Sequence, residues 1–138
     1  MIKEIWINLP VKDIHKSKEF FTKIGFAFNS QYGNTADSAC IVIGDQNLAI
    51  MLFTETIFKT FTTNNISDTN QGTEILFSFS SESREEIDQM AKNVEEAGGT
   101  IYSKPAENQG WMYGFGFADL DGHRWNMLFM DMSKMPQG

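Results

Sequence analysis

HRWNMLFMD, residues 123–131, carries the same Met-Leu-Phe run as NLAIMLFTE, residues 47–55. The two lie 76 residues apart, Met51 against Met127, and what precedes each also corresponds. Residues 2–9, IKEIWINL, alternate with Ile5, Ile7 and Leu9 on one face and Glu4, Trp6 and Asn8 on the other, the period of a half-buried strand, which Pro10 limits in length. A helix is expected next, with Asp13 as N-cap, Ile14, Phe21 and Ile24 at helical spacing, and Gly25 to stop it. Strands are expected at 26–31, 38–43 and 47–53. From residue 73 the order recurs: a strand in TEILFSFS, a helix in SREEIDQMAKNVEEAGG with Ser83 and Glu86 at capping-box spacing, then strands in TIYSKP, WMYGFGF and RWNMLFM. The helix-ending glycines, Gly25 and Gly98, are 73 residues apart. Order, chemistry and offset together indicate a duplicated βαβββ module in an α+β fold.

The chain has 138 residues, of which 41% are hydrophobic and 12 are Phe, enough for one substantial core. One domain is expected over 1–138, with module one at 1–54, a linker or lid at 55–72 that opens with a helical turn bearing Phe58 and Phe61 and then becomes polar, module two at 73–131 and a tail at 132–138. A formal net charge of −7 repels phosphate backbones and anionic lipid, so neither nucleic acid nor membrane is expected as a partner. The N-terminus alternates and contains Glu4, unlike a signal peptide, and no apolar run approaches membrane-spanning length. A cytoplasmic location is expected. Cys40, the single cysteine, sits in ACIVI and reads as a small buried hydrophobe.

INLPVKDIHKSKEFFTKIGF near the start and FADLDGHRWNMLFMD near the end, with the repeat between them, resemble the vicinal oxygen chelate superfamily, which groups glyoxalase I, bleomycin- and fosfomycin-resistance proteins and extradiol dioxygenases. The nearest likeness is to its lactoylglutathione lyase-like branch. The resemblance implies an open cup-shaped sheet made by two βαβββ modules, helices outside, and a ligand or metal held on the concave face by the first and last strand of each module. Carried onto this chain, those positions are Trp6, Ile50, Glu74 and Asn126. It also implies a homodimer.

A metal wants three or four N, S or O donors. Trp6 and Ile50 cannot coordinate and Asn126 offers only a neutral carbonyl, so no metal or other cofactor is expected. By strand parity Trp125, Met127 and Phe129 face a helix, while Arg124, Asn126, Leu128 and Met130 face the cup. His123 ends an Asp-Gly turn and is read as a turn-edge residue.

Glu74, among Trp6, Ile50 and Leu76, reads either as a desolvated general acid or base, the candidate catalytic residue, or as the ion-pair partner of Arg124. Trp6, Asn8 on the same face, Trp111, Tyr113 and lid residues Phe58 or Phe61 are candidates to wall a pocket for a small organic molecule. Gly110, Gly114 and Gly116 lack GxGxxG spacing and read instead as places of close backbone approach. The leading expectation is therefore a small-molecule binder with an incomplete metal site. A glyoxalase-type lyase or isomerase using Glu74 as base is the first alternative, and a drug binder of the bleomycin-resistance kind the second.

Overall fold

The computed structural model describes residues 1–31 and 33–136. Two compact units divide it, Met1–Asp68 and Thr69–Gly138, each a four-stranded sheet with its βαβββ helix packed outside.

In the first unit the order is β1 (Ile7–Val11), α1 (Ile14–Lys23), β2 (Ala27–Phe28), β3 (Ser38–Ile43), β4 (Leu48–Thr54) and α2 (Glu55–Thr62). The sheet runs β1-β4-β3-β2, with β1 parallel to β4 and the other pairs antiparallel. Asp13 caps α1 as expected, its carboxylate accepting from Lys16 N at 3.0 Å. Gly25, at φ +102°, turns the chain out of the helix where a Cβ would be strained. α1 buries Ile14, Phe20 and Phe21 above the sheet row of Leu9, Val11, Ile41, Ile50 and Leu52, all at most 6% exposed. Cys40 is buried, as read from sequence, and burial pushes its thiol pKa up.

Two expectations here are corrected, and a third, the helical turn at the start of residues 54–72, proves longer than a turn. β1 begins at Ile7, not Ile2: residues 2–6 alternate but are exposed and lie outside the sheet. Pro10 is inside β1 because that strand is a sheet edge, where a missing N–H leaves no ladder bond unmade. Residues 55–62 form a full helix, α2, with Phe61 edge-on to Phe53 at 5.0 Å. Phe53 is in the sheet row opposite to Leu52, so α2 lies across the face that α1 leaves open.

In the second unit β5 (Leu76–Ser80), α3 (Arg84–Glu96), β6 (Thr100–Asn108), β7 (Met112–Ala118) and β8 (Arg124–Met130) form a sheet ordered β5-β8-β7-β6. Ser83 Oγ accepts from Glu86 N at 3.1 Å, while the Glu86 carboxylate takes the Glu82 N–H and the Ser81 hydroxyl. Those two bonds hold the Glu86 pKa below the usual carboxylate range. α3 covers an aromatic core in which Trp125, 1% exposed, stacks on Phe117 at 6.3 Å and packs against Phe77 at 4.8 Å. Removing such a side chain to Ala costs about 3–5 kcal/mol.

Asp119 organises the turn between β7 and β8. Its carboxylate accepts from Trp125 Nε1, Asp121 N and His123 N, each at 3.0 Å. Burial pushes its pKa up, opposed by His123 and by the indole N–H. A 3₁₀ turn, Met132–Lys134, follows β8; positions 137 and 138 of the expected tail lie outside the described residues.

Candidate functional site

The face of the second sheet turned away from α3 is set by register. Phe77, Trp125, Phe117, Met127 and Phe115 occupy the buried row. The neighbouring positions Ser78, Asn126, Gly116, Leu128 and Gly114 form the other row. An open-sided recess of about 320 Å³ lies on that row, lined among others by Tyr102, Lys104, Gly114, Gly116, Asn126 and Leu128.

Two glycines make room for it. A Cβ on Gly116 would stand 2.5 Å from Tyr102 Cζ, and one on Gly114 would stand 2.5 Å from both Leu128 Cδ2 and the Met127 carbonyl oxygen. Tyr102 sits at a register irregularity of β6, between Ile101 and Ser103. Its ring lies against Gly116, and its hydroxyl donates to the Trp125 carbonyl at 3.2 Å. The Arg124 guanidinium lies over that ring, 4.2 Å from its centroid, a cation–π contact worth about 0.5–1 kcal/mol when exposed. Partial burial raises the Tyr102 pKa, with Arg124 pulling the other way.

Asn126 Oδ1 is buried and has no hydrogen-bond partner among the described residues. Buried carbonyl oxygens are nearly always paired, and an unmade bond costs about 1–3 kcal/mol. The oxygen therefore keeps unused acceptor capacity on a residue of the recess lining.

Of the residues singled out from sequence, Arg124 and Asn126 stand together on this face, as parity implied. Tyr113 is on the opposite row, donating its hydroxyl to Asp88 of α3 at 2.6 Å beneath the Arg84 guanidinium. That bond raises the Tyr113 pKa. Trp111 lies at the β6–β7 turn, half-buried, and its Nε1 is a second buried atom without a partner among the described residues.

Glu74 is exposed on the residues leading into β5, without the apolar enclosure expected for it, and no ion pair joins it to Arg124 among the described residues. Trp6 is 56% exposed ahead of β1, and Asn8 is exposed on β1. In the first unit Phe58 is half-buried on α2. Ile50 is 2% exposed in the α1-facing row, flanked by Ile7 and Ile41.

The placement of Ile50 has a simple cause. Ile7 pairs with Ile50 and Phe77 with Trp125, so the modules superimpose at 75 residues along the last strand, one fewer than the Met-Leu-Phe match implies. A one-residue slip reverses the face. Met51, not Ile50, corresponds to Asn126.

Tyr102 and Asp119 were missed from sequence. The signal for Tyr102 was a strand glycine, Gly116, which invites an aromatic ring from a neighbouring strand.

The positions that the resemblance implies thus carry an indole and a thioether in the first unit, and an exposed carboxylate and a carboxamide in the second. Among the described residues no three His, Cys, Asp or Glu side chains converge on a common point. This set does not fit the ion that the resemblance implies.

A family model described as "Glyoxalase/Bleomycin resistance protein/Dioxygenase superfamily" matches residues 5–127. Among solved structures, hypothetical protein SA1046 from S. aureus is 33% identical, with 94% of each chain covered and a TM-score of 0.83. A glyoxalase/bleomycin resistance protein/dioxygenase family enzyme from Burkholderia phytofirmans PsJN is 16% identical, covering 91% of this chain and 96% of its own, at a TM-score of 0.76. The fosfomycin resistance protein FosX from Listeria monocytogenes is 20% identical, covering 96% and 98%, at 0.67. None of the curated proteins compared matches the chain.

Proposed function

The chain belongs to the glyoxalase/bleomycin resistance protein/dioxygenase superfamily, and from that premise we propose that it binds a small organic molecule on the open face of its second sheet. The observation carrying this reading is the Asn126 carbonyl oxygen, buried without a partner beside a recess of about 320 Å³. That volume suits a small ligand. Tyr102 and Leu128 supply apolar contact, and Asn126 and Arg124 supply direction.

Lyase or isomerase chemistry of the lactoylglutathione type needs a positive group beside the developing enediolate and a base aimed at the carbon-bound proton. Glu74 is exposed, and the donor set does not suit a metal, so binding is the better supported reading. Metal analysis of protein purified without chelator, with an assay on the hemithioacetal of methylglyoxal and glutathione, separates the two. The binder is expected to show neither stoichiometric metal nor turnover, and to lose ligand-induced quenching of tryptophan fluorescence in Asn126→Leu. Turnover abolished by Glu74→Gln would replace this reading with the enzymatic one.

We further propose that the chain works as a homodimer in the cytoplasm. β1 and β5 are edge strands of their sheets, and Ile5, Trp6, Ile75 and Leu76 around them are 49–75% exposed. Such edges suit pairing with a second copy. Among the described residues no helix is long and apolar enough to cross a membrane.

A further inference from the structure

We infer that the recess on the second sheet selects a small organic carboxylate that carries a hydrogen-bond donor beside its charge; this rests on the ligand-binding reading above.

Two features point to an anion. The protein carries a net charge of −7, yet the ionisable groups at the recess are biased the other way. Lys104 and Glu107 line it, but Glu107 is held by Arg84 at 2.5 Å, and that partner keeps the Glu107 pKa below the usual carboxylate range. Lys104 and Arg124 have no carboxylate at ion-pair distance among the described residues. Lys104 in the lining and Arg124 beside it, over Tyr102, therefore face the recess as cations without a carboxylate partner, while its one carboxylate is already paired.

The second feature is the posture of Arg124. Its Cζ lies 4.2 Å from the centroid of the Tyr102 ring, so the ring restricts the guanidinium, and no carboxylate among the described residues takes its N–H groups at ion-pair distance. A planar fork fixed in this way matches a carboxylate in two parallel bonds and loses little freedom on binding.

Asn126 adds the donor requirement. It lies two residues along the same strand face, a backbone spacing of about 6.5–7 Å, and its carbonyl oxygen, without a partner among the described residues, accepts only. A ligand satisfying both has an oxyanion at one end and an O–H or N–H a few bonds away, with an apolar body against Leu128 and Tyr102. Where the family likeness implies a cation held by side-chain donors, this chain offers the reverse polarity.

Mandelate has all three parts: carboxylate, adjacent hydroxyl and flat ring. Phenylacetate lacks the hydroxyl, and 1-phenylethanol lacks the carboxylate. Each is titrated into the ¹⁵N-labelled full chain, following amide shifts of residues 102–106, 112–116 and 124–128. Mandelate is expected to bind about tenfold or more tightly than 1-phenylethanol, which lacks the bond to a charged group, and roughly fivefold more tightly than phenylacetate, which lacks a bond to a neutral carbonyl. Arg124→Gln should bring mandelate down to the level of 1-phenylethanol without weakening 1-phenylethanol itself, and Arg124→Lys should recover part of the loss.

If 1-phenylethanol shifts the same amides as strongly as mandelate, the recess binds ligands without selecting anions, and this inference falls alone. Unchanged mandelate affinity in folded Arg124→Gln has the same meaning. If none of the three compounds shifts these amides, the inference and the ligand-binding reading fall together. The comparison of compounds on the unaltered protein does not depend on any variant folding.

Discussion

Replacing Gly116 by Ala tests the geometry of the recess through stability. The new Cβ would meet Tyr102 Cζ at 2.5 Å, Cε1 at 2.6 Å and Oη at 2.7 Å. Ordinary contact lies near 3.5 Å, so the ring must retreat by about 1 Å. Tyr102 is 38% exposed and can move outward. Doing so breaks its hydrogen bond to the Trp125 carbonyl, about 1 kcal/mol net, and removes the surface under Arg124, about 0.5–1 kcal/mol. Against this, alanine restricts the unfolded chain, which returns about 0.4–1 kcal/mol. The expected net loss is about 1 kcal/mol. Gly114→Ala is the contrast, because there the clash includes the Met127 carbonyl oxygen at 2.5 Å. Backbone in a sheet ladder cannot swing away, and the overpacking cost of about 1–3 kcal/mol applies with little relief. Urea unfolding followed by tryptophan fluorescence, with equal m-values in both variants, measures the two losses. Equal losses, or a larger one at Gly116, would refute the assignment of Tyr102 to its place over that glycine.

Asp119→Asn places an amide donor against Trp125 Nε1 or against the two backbone N–H groups that the carboxylate now serves; a loss of about 1–3 kcal/mol is expected in the same urea assay. Trp125→Ala should cost about 3–5 kcal/mol through the cavity left between Phe77 and Phe117, and a smaller loss would mean that the aromatic core collapses to fill it. Glu86, Glu107 and Asp131 all have folded pKa values below the unfolded ones, so their contribution is complete above the unfolded carboxylate range and is lost as pH falls through the folded values. Asp119, raised by burial, acts with the opposite sign, its contribution fading as pH rises through its folded value. Glu86→Gln should therefore flatten the acid limb of a stability–pH curve while leaving its neutral limb parallel to the parent, and an unchanged acid limb would show that the carboxylate's bonds to Glu82 N and Ser81 contribute nothing.

Much of this architecture was legible because local chemistry and tertiary structure agree in it. Asp13, Gly25, Ser83 and Gly98 mark helix ends by capping and by backbone conformation, both local properties. β3 appears at 38–43 as read, since SACIVI has strand chemistry on both faces. What failed depended on partners. Residues 2–6 have the alternation of a strand, but alternation states a tendency and pairing needs a neighbour. Ile50 was misplaced by matching letters instead of hydrogen-bond register, and the error of one residue moved it to the other side of the sheet. Tyr113 was legible in principle: it shares parity with Phe115 and Phe117, both buried. For Tyr102 the glycine at 116 signalled that some ring could lie there, but which ring was not legible, because that depends on an irregularity in β6 that composition does not announce. Glu74 was expected in an apolar enclosure by analogy between strands, yet β5 starts only at Leu76.

After β4 the chain folds α2 back over its own sheet, with Phe61 set on Phe53, whereas after β8 it makes only a three-residue turn, Met132–Lys134. The two copies of one ancestral pattern have thereby parted in what they tolerate. In the first, a new side chain at Phe53 disturbs a helix and is penalised whatever it might recognise. In the second, Asn126 and Leu128 can be exchanged without unseating a neighbouring helix, so chemical novelty has a place to accumulate in one half while the other preserves the scaffold.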